Sequence, residues 1–178
     1  MAALRPRSRF GLLLFLSVLG TACGRVTPTL PPSDPHALLG KPLAAMHERA
    51  LGTGERLHFP QPSQVLVVDF WSTSCRPCER LMPQLEKLSH DIGAVRVLGI
   101  AHDDNPVAVR EKASALGVSY PIVLDDDGHL DRAFQVGGRV PTTFVVDGRG
   151  VVRFVRLGES GSEIDAIRAA VRAALDGS

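Results

Sequence analysis

A single α/β domain with a mixed, largely parallel central sheet is the fold this sequence predicts, and three observations carry the prediction. The apolar, β-branched runs "QVLVVDFW" and "AVRVLGIA" alternate with stretches of helical period, and continuous runs of this kind mark strands buried on both faces. The elements follow in the order β-α-β-α-β-α-β-β-α, which gives a parallel sheet with an antiparallel edge and helices on both faces. A chain of 178 residues with 44% hydrophobic content is also long enough for one proper core plus a leader.

The leader is residues 1–22. "MAALRPRSRF" holds Arg5, Arg7 and Arg9 and no acid, and "GLLLFLSVLG" is an apolar block too short to span a bilayer. It ends in the small residues of "GTAC", and with no polar face it reads as a secretory signal rather than a buried helix. Residues 23–35, rich in Pro, Thr and Ser, read as a flexible tether, with the domain over 36–178. "ALLGKPLAAMHERALGTGERLHFPQPS" predicts two short strands around a glycine-containing turn.

From Gln64 the punctuation sharpens. A helix is expected from about Cys75 to His90. The next has Asn105 as cap, Pro106 at its first position and Gly117 as its stop. "YPIVLD" is a short strand, "GHLDRAFQV" a short helix, and "TTFVVD", "GRG" and "VVRFVRL" form a hairpin. The last helix opens at "SEID", a capping-box pattern, and buries Ile164, Ile167, Val171 and Leu175.

Without residues 1–22 the chain has 17 basic against 19 acidic residues, a balance of −2. Nothing in that balance suggests a nucleic-acid surface. Of three cysteines, Cys23 follows the leader, which leaves Cys75 and Cys78 as one pair two residues apart; a single such pair does not make a disulfide-stapled scaffold. Cys75 falls where a buried strand meets the first turn of a helix. Unpaired N–H groups and the helix dipole there favour a thiolate, and Arg76 pushes the same way. Pro77 suits the helix start because it has no N–H to leave unused, and Cys78, one turn in, is less accessible. This predicts a redox pair: Cys75 attacks a partner's disulfide and Cys78 displaces the partner.

The alternatives are weaker. Zinc sites want four ligands, and the chain has no second C-x-x-C; His58, His90, His102 and His129 fall at no ligand spacing. "DDDGH", residues 125–129, reads as a polar turn, so no metal is expected. A purely structural bridge closing so small a loop gains little.

"VDFWSTSCRPC" resembles the active-site strand and turn of the thioredoxin superfamily. Asp69, Phe70 and Trp71 precede Cys75 at the spacing of that family's D-F-W, and Pro83 matches the proline within its active-site helix. "GGRVPTTFVVDGRG" resembles its cis-proline loop and hairpin, with Pro141 as the proline. With the leader, tether and long intervening segment, the chain looks most like the membrane-tethered TlpA-like and ResA-like thiol-disulfide oxidoreductases over about residues 36 to 177. "LGTAC" resembles the lipobox of bacterial lipoproteins, although Gly20 stands where a leucine is preferred. It implies a lipid anchor on Cys23, with ordinary cleavage nearby as the alternative.

The resemblance implies a thioredoxin-like three-layer α/β/α sandwich, with a mixed central sheet and an antiparallel C-terminal hairpin. It implies that the Pro141 ring lies against the Cys75 sulfur, that the Val140 backbone pairs with an extended partner segment, and that Asp69, buried behind the second sulfur, shuttles its proton with a pKa raised by burial. Trp71, Ser74, Arg76, Pro77 and Val140 are the expected partner-contacting residues, with Trp71 equally suited to packing. Asp103 and Asp104 are expected to act in a loop and cap rather than as an extra acid.

Ser74 departs from the family's usual tryptophan, and Arg76–Pro77 from its usual dipeptides. The implied activity is extracytoplasmic, at the periplasmic face: reduction of disulfides in exported proteins, apocytochrome c among them. Electrons come from a membrane thiol donor, and no cofactor is needed beyond the cysteine pair. A peroxiredoxin-like peroxidase is the rival enzyme, but its required Pro and Thr are here Val68 and Ser72. A copper-binding module is the rival of another class; it uses C-x-x-x-C with a downstream His.

Overall fold

A computed structural model describes residues 30–103 and 105–177. The leader, Cys23 and Asp104 lie outside the described residues. The elements are β1 (Met46–Arg49), β2 (Arg56–Phe59), β3 (Val65–Trp71), α1 (Arg76–Asp91), β4 (Val95–Ala101), α2 (Pro106–Ala115), β5 (Ile122–Leu124), α3 (His129–Phe134), β6 (Thr142–Val146), β7 (Val152–Leu157) and α4 (Glu163–Asp176). β1 and β2 form the separate antiparallel hairpin expected around the glycine turn, and the main sheet runs β5-β4-β3-β6-β7. β3, β4 and β5 are parallel, β6 runs antiparallel to β3, and β7 antiparallel to β6.

β3 explains how the layers form. All seven of its residues are buried, because side chains alternate between two covered faces. Val65, Val67 and Trp71 join the core under α1, α2 and α4. Leu66, Val68 and Phe70 join the opposite core, with Leu130 and Phe134 of α3 and Leu57 and Phe59 of β2. There Phe70, Phe134 and Phe144 meet edge to face. Full burial of such a side chain contributes roughly 1.5–3 kcal/mol. Asp69 has the parity of Val67 and Trp71, so it enters the layer beneath α1. No helix among the described residues is long and apolar enough to cross a membrane.

Two expectations change. Contacts with the domain begin before residue 36: Val155 N–H donates to Ser33 Oγ, Asp34 N–H donates to the Val155 carbonyl, and Leu157 N–H donates to the Asp34 carboxylate. This segment lies along β7, the edge strand, and occupies donors and acceptors that an open edge exposes. The "SEID" capping box does not form. Ser162 makes no side-chain cap, and Glu163 instead accepts the N–H groups of Ser160 and Gly161 in the preceding loop. On α4, Ile167 and Val171 are buried as expected, with Ala170 and Ala174, while Ile164 and Leu175 are half-buried at the margins.

Candidate active site

The site forms where β3 runs out of the sheet and turns into α1. Asn105 and Pro106 open α2 as the sequence indicates, and the residue two before that cap holds the turn after β3. Asp103 accepts from the Thr73 backbone N–H at 2.9 Å and from the Thr73 hydroxyl at 2.7 Å. Asp103 is thus a loop tie, as expected of it.

Cys75 is the N-cap residue of α1, and its Sγ accepts the Cys78 backbone N–H at 3.2 Å. A first-turn N–H aimed at sulfur is the contact a helix start offers to a developing negative charge. Cys75 and Cys78 are disulfide-bonded. Cys75 is 7% exposed and Cys78 is completely buried, so only the first sulfur is within reach of an attacking or attacked partner. Pro83 lies inside the helix. Arg76 and Ser74 are exposed and Pro77 is half-buried. The Ser74 hydroxyl meets the Ser72 hydroxyl at 3.3 Å.

The Val140–Pro141 peptide bond is cis. Pro141 is buried, its carbonyl accepts the Gly158 N–H at 2.7 Å, and Val140 is half-buried between both cores. No backbone group among the described residues pairs with Val140. Pro77 and Pro141 border one groove, which continues along Arg80, Gln84, Glu159 and Glu163. The loop before β6 and the start of α1 therefore form its two walls.

Asp69 has no exposed surface. Its Oδ1 accepts the Thr143 hydroxyl at 2.7 Å, from β6. Burial pushes its pKa up to about 7, against the smaller downward pull of Thr143. A carboxyl in the layer that holds Cys78, half-ionised near neutrality, is suited to taking and returning a proton. Trp71 is corrected: with no exposed surface, its side chain packs in the core and offers nothing to a docked partner.

"DDDGH" is the polar turn expected. Both Asp125 oxygens accept first-turn N–H groups of α3, from Leu130 at 2.9 Å and Asp131 at 2.8 Å, and Asp127 accepts the His129 N–H. Asp125, Asp127 and His129 offer ligand atoms within 4.8 Å of one another, but those atoms cap and brace the turn.

Thr143, Gly99 and Tyr120 were not singled out in the sequence. Thr143 had one usable signal, a hydroxyl in "PTTF" at a strand position where apolar residues dominate. Tyr120 had another, as the chain's single tyrosine.

These features define a class: the sheet order, the cysteine pair at a helix start and the cis-proline that shares a groove with that helix start are those of the thioredoxin superfamily. Residues 54–155 match the model of the AhpC/TSA family, and the chain belongs to that family. It is 33% identical over 98 residues to thiol-disulfide oxidoreductase ResA of Geobacillus kaustophilus (strain HTA426), covering 54% of this chain and 56% of that protein. It is 29% identical over 161 residues to thiol:disulfide interchange protein DsbE of Tatumella citrea, covering 86% and 85%. Among solved structures, a putative thiol:disulfide interchange protein DsbE from Chlorobium tepidum superimposes with a TM-score of 0.70 at 21% identity, over 77% of this chain and 97% of that one. The chain spans little more than half the length of the ResA proteins it matches.

Proposed function

We propose that this protein is an extracytoplasmic thiol-disulfide oxidoreductase that reduces disulfides in exported proteins, with apocytochrome c as one substrate. The observation that carries the reading is the Cys75–Cys78 disulfide at the start of α1, one sulfur reachable and the other buried. The relatives named ResA and DsbE support the same chemistry.

In the reduced protein the Cys75 thiolate attacks one sulfur of a partner disulfide. A Cys75–partner bond forms, and the partner's other sulfur leaves and takes a proton. Cys78 then gives its proton to Asp69 and attacks the Cys75 sulfur. The Cys75–Cys78 bond forms as the Cys75–partner bond breaks, the partner's second sulfur leaves as a thiolate and takes a proton from water, and two electrons have passed to the partner. A membrane thiol donor returns the pair to the dithiol. The Val140 backbone, which pairs with no backbone group among the described residues, would bond an extended partner segment beside Pro77 and Pro141. Ser74 and Arg76 flank that approach. A lipid on Cys23 would hold the domain at the periplasmic face of a membrane.

Trapping tests the reading. Cys78→Ser should accumulate mixed disulfides through Cys75, and Cys75→Ser should accumulate none. Equal capture by both variants overturns it. A pair potential near about −120 mV, the strongly oxidising regime, would reverse the direction to oxidase. Labelling with a tagged fatty acid tests the anchor: equal label after Cys23→Ser rules it out. The peroxidase alternative is disfavoured because Val68, where that chemistry needs proline, points into the core opposite to α1.

A further inference from the structure

Among the buried side-chain atoms with no hydrogen-bond partner among the described residues are Asp69 Oδ2, Trp71 Nε1 and the Tyr120 hydroxyl, and the residues that carry them meet at one place. Gly99 of β4 is the floor of that place. It is the register partner of Asp69. A methyl group added to it would lie 3.1 Å from Trp71 Nε1 and 3.2 Å from Tyr120 Cε2. A carboxyl, an indole and a phenol, from β3 and from the turn before β5, therefore close over one glycine.

Packing alone gives no reason for a tyrosine here, since a buried hydroxyl without a partner is worse than a phenyl ring of the same shape. The two unpartnered groups beside Asp69 are both hydrogen-bond donors. Donors suit a carboxylate rather than a carboxylic acid. The Tyr120 hydroxyl also stays protonated: burial first, then the negative charges of Asp69 and Glu86, raise its pKa well above the ordinary value. Its position is fixed from α1, where the Glu86 carboxylate accepts the Ser119 hydroxyl and N–H and the Tyr120 N–H. The other groups of this core layer do not compete. β6 presents Thr143, α4 presents Ile167, Ala170, Val171 and Ala174, and α1 presents Cys78, which is in the disulfide.

The geometry points to Tyr120 as a positioning residue for the exchange reaction: its hydroxyl, together with the Trp71 N–H, receives the second oxygen of Asp69 when that group is a carboxylate, directly or across one bridging water. The inference rests on the proposed role of Asp69 as the group that takes the Cys78 proton. After each turnover Asp69 must release that proton and become a carboxylate again, and Tyr120 lowers the barrier to that state by supplying a donor inside the core.

The test is the titration of the Asp69 carboxyl, followed by carbon NMR in the oxidised protein with no partner present. Tyr120→Phe should move its midpoint upward by about one pH unit. The stability difference between Tyr120→Phe and wild type should be small at pH 5, open at pH 8.5, and lose this pH dependence in an Asp69→Asn background. Because the chain has one tyrosine, biosynthetic 3,5-difluorotyrosine supplies a second variant that keeps the fold. Its more acidic hydroxyl should move the midpoint down. A midpoint that neither variant moves overturns the inference even when exchange is intact. A moved midpoint with failed mixed-disulfide trapping overturns the oxidoreductase reading instead.

Discussion

Thr143 donates its hydroxyl hydrogen to Asp69 Oδ1 across 2.7 Å, and the two residues are register partners on neighbouring antiparallel strands. One hydrogen bond does not offset the loss of water around a buried carboxylate, so the Asp69 pKa lies near 7 rather than near its ordinary 3.8. The folded protein then holds a proton that the unfolded chain has lost between about pH 4 and pH 7. The contribution of this group to stability is greatest below that window, falls as pH rises through it, and is level above pH 7. Asp69→Asn keeps an oxygen for Thr143 and cannot ionise. It should match wild type near pH 4 and exceed it above pH 7 by up to about 4 kcal/mol. Denaturant unfolding at three pH values checks this; a variant no more stable at pH 8 would show that Asp69 is ionised at little cost.

The same substitution should slow exchange. On the proposed role of Asp69, Asn at 69 removes the proton acceptor of the Cys78 thiol, and resolution of the mixed disulfide should fall about 10²–10⁴-fold near neutral pH, the usual contribution of a positioned base. The first attack by Cys75 should change little. Rapid-quench separation of the two steps on a model protein disulfide provides the measurement, and equal slowing of both steps would remove Asp69 from the resolving role.

How much of this was legible in the sequence follows from how local each feature is. Cys75, Pro77, Cys78 and Asp69 lie within one strand and one turn, so spacing and flanking residues identify them. Pro141 was legible through its loop. Thr143, Gly99 and Tyr120 were not, because their roles depend on the register between β3, β4 and β6 and on the turn before β5, which no short window contains. Trp71 illustrates the opposite limit: a motif identified the residue, but only strand parity decides that its ring points under α1. Ser33 and Asp34 fall in the expected tether because Pro-rich composition predicts an extended chain. Extended chain is also the shape that lies along an edge strand, and composition does not say whether an edge is there.

Gly99→Ala tests the packing around the site without replacing a titratable group. The new methyl would lie 3.1–3.2 Å from Trp71 Nε1, Ile122 Cγ1 and Tyr120 Cε2, closer than carbon and nitrogen comfortably pack. Trp71 is fully buried and has nowhere to move. The substitution should cost about 1–3 kcal/mol, read from the shift in the denaturant midpoint. No loss of stability would mean that the indole and phenol rings are not closed over Gly99.

Asp147 provides the opposite pH dependence in the same domain. It is buried at the turn between β6 and β7, where it accepts the N–H groups of Arg149 and Val151 at 2.9 Å each and Arg153 Nε at 2.7 Å. Burial, the largest influence, pushes its pKa up, but the Val151, Arg153 and Arg149 contacts together outweigh it and hold the carboxyl below its ordinary value. A lowered folded-state pKa means that the stabilisation is present above about pH 4 and is lost as pH falls through the folded value. Asp147→Asn puts an amide N–H₂ opposite Arg153, donor against donor, and removes the charge. The loss should be about 2 kcal/mol at pH 7 and should shrink as pH drops below 4, so that the two stability curves converge in acid. Asp69→Asn and Asp147→Asn should therefore differ from wild type with opposite signs at pH 7. Thermal unfolding of both variants between pH 3 and pH 8 would reveal this, and a pH-independent deficit for Asp147→Asn would mean that shape, not charge, is what the turn requires.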